Sequence, residues 1–272
     1  MNLVKRRLPF PRMSWKWVLL FGISLLLFGW LLNTPAGLLG KADAVGYAVC
    51  HRIDARSFHV HGRQMPLCAR CTGMYLGAML GLLYLSITAR RRTGLPPWKV
   101  LVVFGFFVAA FGIDGVNSYL HFFPGFTGLY EPQNWLRLVT GTGLGIAISS
   151  LLYPAFNQSA WKDWDDRRVF EDFRSLGVLL ILAALLDLLV ISEFWPVLYV
   201  LALVSAAGVL VLLTLVYSMV FLMLLRKENS YERIQQMLIP LAAGFLMAML
   251  QIAALDVVRY WLTGTWSGFN FG

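Results

Sequence analysis

A chain of 272 residues that is 58% hydrophobic, with a mean hydropathy of +0.67, is too apolar for an ordinary water-soluble domain. Its net charge of +9 has no basic, aromatic-bearing soluble module to direct it at nucleic acid, so that class of partner is excluded. Repeated apolar runs of about 18 or more residues instead predict membrane-spanning helices, which satisfy their own backbone hydrogen bonds across the hydrocarbon.

The first span is predicted over residues 15–32, behind Lys5, Arg6, Arg7 and Arg12. Its basic start and apolar core mimic a signal peptide, but Asn33-Thr34-Pro35-Ala36-Gly37 is a poor cleavage site, and the span reads as an uncleaved anchor. Pro35 ends the helix, and a polar loop over 33–71 follows. The second span, 72–89, stops at Arg90-Arg91-Arg92, and Pro96-Pro97 turns the chain. The third, 100–120, is apolar up to Asp114 and carries Asn117 and His121 near its end. A loop with Glu131, Asn134 and Arg137 leads to the fourth span, 138–156. Residues 157–174 set Trp161, Trp164, Phe170 and Phe173 among charges, which predicts a helix lying on the membrane surface, with a solvated loop as the alternative. Spans five and six cover 176–191 and 197–225, the latter longer than the hydrocarbon requires. The seventh covers 236–258 and contains Gln251 and Asp256.

The expected fold class is therefore an all-α polytopic bundle of seven transmembrane helices. It divides into an anchor (1–44), a core with a Cys/His loop and three spans (45–156), an interfacial segment (157–174) and a three-span part (175–272). With the amino terminus inside, sixteen of the 23 Lys and Arg fall in cytoplasmic segments and seven (Lys41, Arg52, Arg56, Arg63, Arg70, Arg137 and Arg259) on the other side. That bias predicts the amino terminus in and the carboxy terminus out. The same topology places all three cysteines and all four histidines (His51, His59, His61 and His121) on the extracytoplasmic side.

Cys50, Cys68 and Cys71 fit three thiolates converging on one ion, two from a tight Cys-x-x-Cys turn and one from the far end of the loop. His51 is the expected fourth ligand, with His59, His61 and His121 as competitors, and the soft set suits zinc. Three ligands with an exchangeable fourth position would make a catalytic site. The rival is redox chemistry: Cys68 and Cys71 at the start of a helix, beside Arg70, would have lowered thiol pKa values. A structural disulfide with one spare cysteine is the plainest reading.

Asp114, Asn117, Asn134 and Arg137 form a second constellation, since ionisable groups inside spans are costly and become functional candidates. Asp114 reads as a general base, a metal ligand or the salt-bridge partner of Arg137. Asp187 and Asp256 read as single acids reaching the interface, and Gln251 as an interhelical hydrogen-bonder. Gly73, Gly77 and Gly81 in the second span, and Gly141 and Gly145 in the fourth, repeat every four residues, the spacing that lets helix backbones touch in lipid.

Cys50-His51-Arg52, Arg56-Ser57-Phe58 and the run from Gly62 to Gly77, containing Pro66-Leu67-Cys68-Ala69-Arg70-Cys71-Thr72-Gly73, resemble a family of bacterial and archaeal multi-pass membrane proteins, domain of unknown function 2085. Asp114-Gly115 and Asn134-x-x-Arg137-x-x-Thr140-Gly141 are similar to its further motifs. The resemblance covers about residues 45–150 and implies a multi-pass fold without naming an activity. It favours His51 over His59 and His61. The function expected is an integral membrane metalloprotein of a prokaryotic plasma membrane, binding zinc at an extracytoplasmic Cys/His site. Hydrolysis of a lipid-linked or amphiphilic substrate is the reaction it would carry out if it is an enzyme, with Asp114 and Arg137 flanking the cavity and membrane lipid as the surrounding partner. A thiol–disulfide oxidoreductase and a non-catalytic assembly or transport component are the alternatives.

Overall fold

Seven helices of the computed structural model, which describes residues 15–123, 125 and 128–268, are long and apolar enough to cross a bilayer. In chain order the helices are α1 (Trp15–Asn33), a short α2 (Gly37–Val49), α3 (Ala69–Thr88), α4 (Trp98–Leu120), α5 (Asn134–Ala160), α6 (Phe173–Ile191), α7 (Trp195–Leu224) and α8 (Ile234–Thr263). All but α2 are candidate spans, so the all-α polytopic bundle expected from hydropathy is the fold observed, and the chain is an integral membrane protein. The basic residues Lys5, Arg6, Arg7 and Arg12 lie outside the described residues.

The centre of the bundle is the parallel pair α3 and α5, whose two glycine ridges interdigitate. A β-carbon on Gly77 would sit 2.5 Å from the Thr142 carbonyl oxygen, and one on Gly145 2.7 Å from the Ala78 amide. Gly73 and Gly141 likewise face the backbones of Leu138 and Arg70. Helices this close exchange dispersion contacts along their backbones, the main attraction left where lipid is as apolar as leucine. Around the pair, Leu85, Phe104, Ile146, Phe170 and Leu179 fill one end, and Leu76, Leu138, Leu198 and Ala202 the other.

Four details differ from expectation. The 33–71 segment is not all loop: α2 fills 37–49 and runs across the boundary placed at residue 44. Asn134 and Arg137 stand in the first turn of α5, not in the loop before it. Residues 157–174 form no surface helix. α5 continues to Ala160, and strand β4 (Asp165–Arg168) pairs in parallel with β3 (Arg92–Gly94) at the end of the bundle opposite the cysteines. The cause is burial: Phe170 is fully buried and meets Phe104 edge-on at 6.2 Å, so this segment folds inward under the helix ends. Asp187 and Asp256 do not reach the interface either. Both are buried (7% and 3% exposed), accepting from the Thr142 hydroxyl (2.7 Å) and the Trp30 indole (2.9 Å). Gln251 does bond between helices, accepting from Tyr217 at 2.6 Å.

Candidate functional site

The loop from Cys50 to Cys68 is closed by local rules before any site chemistry enters. Arg52 takes a left-handed conformation (φ 51°), which turns the chain out of α2. His61 and Gly62 are both left-handed (φ 54° and 75°) between β1 (His59–Val60) and β2 (Arg63–Gln64), the backbone a two-residue hairpin turn requires. The hairpin is tied back by Gln64, whose amide donates to the Arg52 carbonyl and the Ser57 hydroxyl, both at 2.9 Å. Asp43 on α2 takes Arg52 on one oxygen (2.9 Å) and Arg63 on the other (2.6 Å), joining helix, loop and hairpin.

The cysteines meet because three chain segments are held together at this point. Cys50 closes α2, its amide bonded to the Gly46 carbonyl at 2.8 Å. Gly46 lies flat against the backbone of Pro66, leaving no room for a side chain, so the end of α2 sits beside the start of α3. Cys68 is the N-cap of α3 and Cys71 stands in its first turn. The three sulfurs lie within 4.8 Å of one another, all as free thiols, and the Cys68 amide donates to the Cys50 sulfur at 3.3 Å. From the far side Arg259 on α8 donates to the carbonyls of Tyr47, Cys50 and His51, capping the last turn of α2, with its guanidinium 4.0 Å over the Tyr47 ring.

These contacts polarise the thiols unequally. Hydrogen bonds from Cys68 and then Cys71 hold Cys50 well below the ordinary thiol value, against the opposing effect of burial. Cys68, whose bond to Cys50 favours its protonated form, is pushed up to about 12.

No histidine joins the sulfur group among the described residues. His51 is adjacent, but its Nδ1 accepts the Ile53 amide at 3.1 Å. Burial lowers its pKa against the opposing pull of the neighbouring Cys50 sulfur, and repulsion from Arg56, Arg70 and Arg137 lowers it further. The neutral ring then carries its proton on Nε2, which makes His51 a hydrogen-bond donor in this arrangement. His59 pairs with Asp54 (3.0 Å), His61 lies against Trp195 (5.4 Å between ring centres), and His121 Nδ1 bonds the Asn117 carbonyl at 2.7 Å.

The second constellation is present but differently paired. Asp114 is not the partner of Arg137. Its carboxylate takes Arg70 of α3, with Arg70 Nε at 3.0 Å, and accepts from the Tyr130 hydroxyl at 3.0 Å. Arg137 donates Nη1 to Asn134 (2.8 Å) and Nε to Ser118 (3.4 Å). Arg70 also reaches Ser118 Oγ (3.0 Å), and Arg56 reaches its carbonyl (2.9 Å). Arg70, flanked by the two cysteines of the pair, was legible only as an influence on their acidity. Ser118 and Tyr130 had no sequence signal, since a serine and a tyrosine near a span end are ordinary residues there.

Comparison with other proteins bears on this same stretch. Residues 50–151 match the family described as predicted membrane protein, DUF2085. An uncharacterized protein of Methanothermobacter thermautotrophicus is 35% identical over 103 residues, which is 38% of this chain and 83% of that protein. An uncharacterized protein of Methanocaldococcus jannaschii is 29% identical over 119 residues, 44% of this chain and 70% of the other. No solved structure matches. The family stretch runs from Cys50 into α5 and so holds the cysteines, Arg56, Arg70, Asp114, Ser118 and Arg137. Arg259, which caps α2 over Cys50, falls outside it.

Proposed function

The chain belongs to this family of predicted membrane proteins, DUF2085, and on that premise we propose that it is a metalloprotein whose Cys50, Cys68 and Cys71 hold one zinc ion. What supports the reading is the convergence of three free sulfurs from two segments, within 4.8 Å of one another. Zinc–sulfur bonds of about 2.3 Å in a tetrahedron set sulfurs roughly 3.8 Å apart, within the 4.8 Å that bounds this group. Three soft thiolates suit zinc. With His51 turned to the Ile53 amide, the fourth position is left to an exchangeable ligand, the pattern of a catalytic centre.

When bound, the ion supplies Lewis acidity. The chain's own residues then divide the remaining work. Asp114 orients Arg70, and Asn134 orients Arg137. In this reading Arg137 supplies the guanidinium that a substrate would meet, and Asp114 and Asn134 are positioning residues. His51 offers its Nε2–H as a neutral donor. Hydrolysis of a lipid-linked or amphiphilic substrate is the reaction this arrangement fits best. Protein purified without a metal-affinity tag is expected to contain about one zinc per chain by elemental analysis. Metal-free, folded protein would overturn the reading.

Thiol–disulfide exchange is the second reading, favoured by one observation: the three sulfurs are free thiols within 4.8 Å of one another, near enough for two of them to pair. A group that only staples the loop is the third. Native alkylation separates them. Metal-bound thiolates are expected to react only after a chelator is added, whereas disulfide sulfurs would react only after a reductant.

We further place the cysteine end of the bundle on the extracytoplasmic side, from the sixteen-to-seven distribution of basic residues. A phosphatase reporter fused after Arg63 should be active and one after Arg92 inactive. A cytoplasmic reporter active at Arg63 would reverse the assignment.

A further inference from the structure

Three arginines from three different segments converge on one residue, Ser118, close to the cysteines. Arg56 Nη2 donates to its carbonyl at 2.9 Å, Arg70 Nη2 to its hydroxyl at 3.0 Å and Arg137 Nε to the same hydroxyl at 3.4 Å. Among the described residues one carboxylate, Asp114, is bonded within this group, and it is already shared between Arg70 and Tyr130. Three guanidiniums against one carboxylate leave about two positive charges in excess at the end of a membrane bundle. The repulsion is visible at Arg56, whose pKa is lowered by burial and then by Arg70. The same three charges act on His51.

A purely structural role does not call for this excess. One arginine per carboxylate would tie the loop to α4, and each unpaired guanidinium held out of water costs free energy that must be recovered elsewhere. The donors are also not used up. Arg137, 6% exposed, spends Nε and Nη1 within the protein, and its Nη2 has no partner among the described residues. Arg56 spends one nitrogen on Ser118 and lays its plane 3.9 Å over the Phe122 ring. Its Nε and Nη1 have no partner among the described residues. Arg56 and Arg70 are both half-buried, so two of the three guanidiniums keep part of their surface open to solvent.

We propose that Arg56, Arg70 and Arg137, gathered around Ser118, bind a phosphoryl group beside the cysteine centre. The forked guanidinium matches phosphate oxygens two at a time, and a group bearing close to two negative charges matches the excess. Naming this phosphoryl group as part of the substrate rests on the functional reading above; its binding does not. The group arrives either on a membrane amphiphile or as a free anion.

Protein in an uncharged detergent, its zinc content measured on the same sample, is titrated with inorganic phosphate and with dodecyl phosphate by calorimetry. Saturable binding is expected, weakening as salt is raised. In Arg56→Gln it should be about tenfold weaker or more, the cost of one charge-assisted contact. Arg137→Gln should behave alike where it folds, and Arg56→Gln, which gives up one backbone hydrogen bond, decides the matter where it does not. Arg63→Gln, at the same end but bonded to Asp43, is the control and should bind normally. Binding of dodecyl phosphate alone assigns the group to an amphiphile, and comparable binding of both assigns it to a free anion. No binding of either, or undiminished binding in Arg56→Gln, overturns the proposal. Neither result touches the zinc measurement.

Discussion

Cys68→Ser is expected to empty the centre and loosen the whole cysteine end of the bundle. Metal content should fall from about one per chain to a small fraction, together with a clear drop in melting temperature. Zinc bound by thiolates contributes folding free energy on the order of 10 kcal/mol in small domains, comparable to the total stability of a typical protein. Losing one of three thiolates forfeits a large part of that. The effect should be local in origin. Cys68 is the N-cap of α3 and Cys50 the C-cap of α2, so the ion would join the two helices at the point where Gly46 meets Pro66. Cys71→Ser should do the same. A thiol–disulfide catalyst makes the opposite forecast, with no stoichiometric metal and an intact fold in both variants. The measurement is elemental analysis beside a thermal melt of the same protein. Unchanged melting with unchanged metal would sink the cysteine ligand set.

The spans were legible because each is an apolar run bounded by charge or proline, and hydropathy needs no tertiary context to find them. α2 was not legible. Its sequence carries Gly37, Gly40 and Gly46 in thirteen residues after Pro35, and glycine costs about 1 kcal/mol per helical position relative to alanine. The helix exists through what those glycines touch: Gly40 against the Pro35 backbone and Gly46 against Pro66. The cysteine trio could be read from spacing alone, since two thiols three apart on a helix start share a face. Which acid pairs with which arginine could not. Arg70 and Arg137 lie at the same end of the bundle as Asp114 in a seven-span topology, and either could be its partner. The choice follows from how α3, α4 and α5 meet, and Arg137 is drawn off by Asn134 one turn away on its own helix. Asp187 and Asp256 looked like acids near span ends until their partners, Thr142 and Trp30 on other helices, were in place.

Gly77→Leu is expected to force α3 from α5 and destabilise the protein strongly, with a cost of about 3 kcal/mol or more. Adding a side chain to a packed interior already costs about 1–3 kcal/mol where neighbouring side chains can shift. At Gly77 the obstacle is backbone: the first added carbon would lie 2.5 Å from the Thr142 carbonyl oxygen and 2.9 Å from its α-carbon. Neither can move without displacing a turn of α5. Relief would have to come from separating the helices, which would also part Gly73 from Leu138 and Gly141 from Arg70. Arg70 and Arg137 ride on the two helices being separated, four residues before Cys68's helix reaches Met74 and four before Gly141 respectively, so the arginine cluster should open along with the interface. Leu83→Ala on the same helix tests whether this is a packing effect. Leu83 is 60% exposed on the lipid-facing side, and its truncation should cost well under about 1 kcal/mol. Thermal melts in detergent compare the two directly. Gly77→Leu melting like the unmutated protein would mean that α3 and α5 do not touch at this point, and the central contact of the bundle would be misplaced.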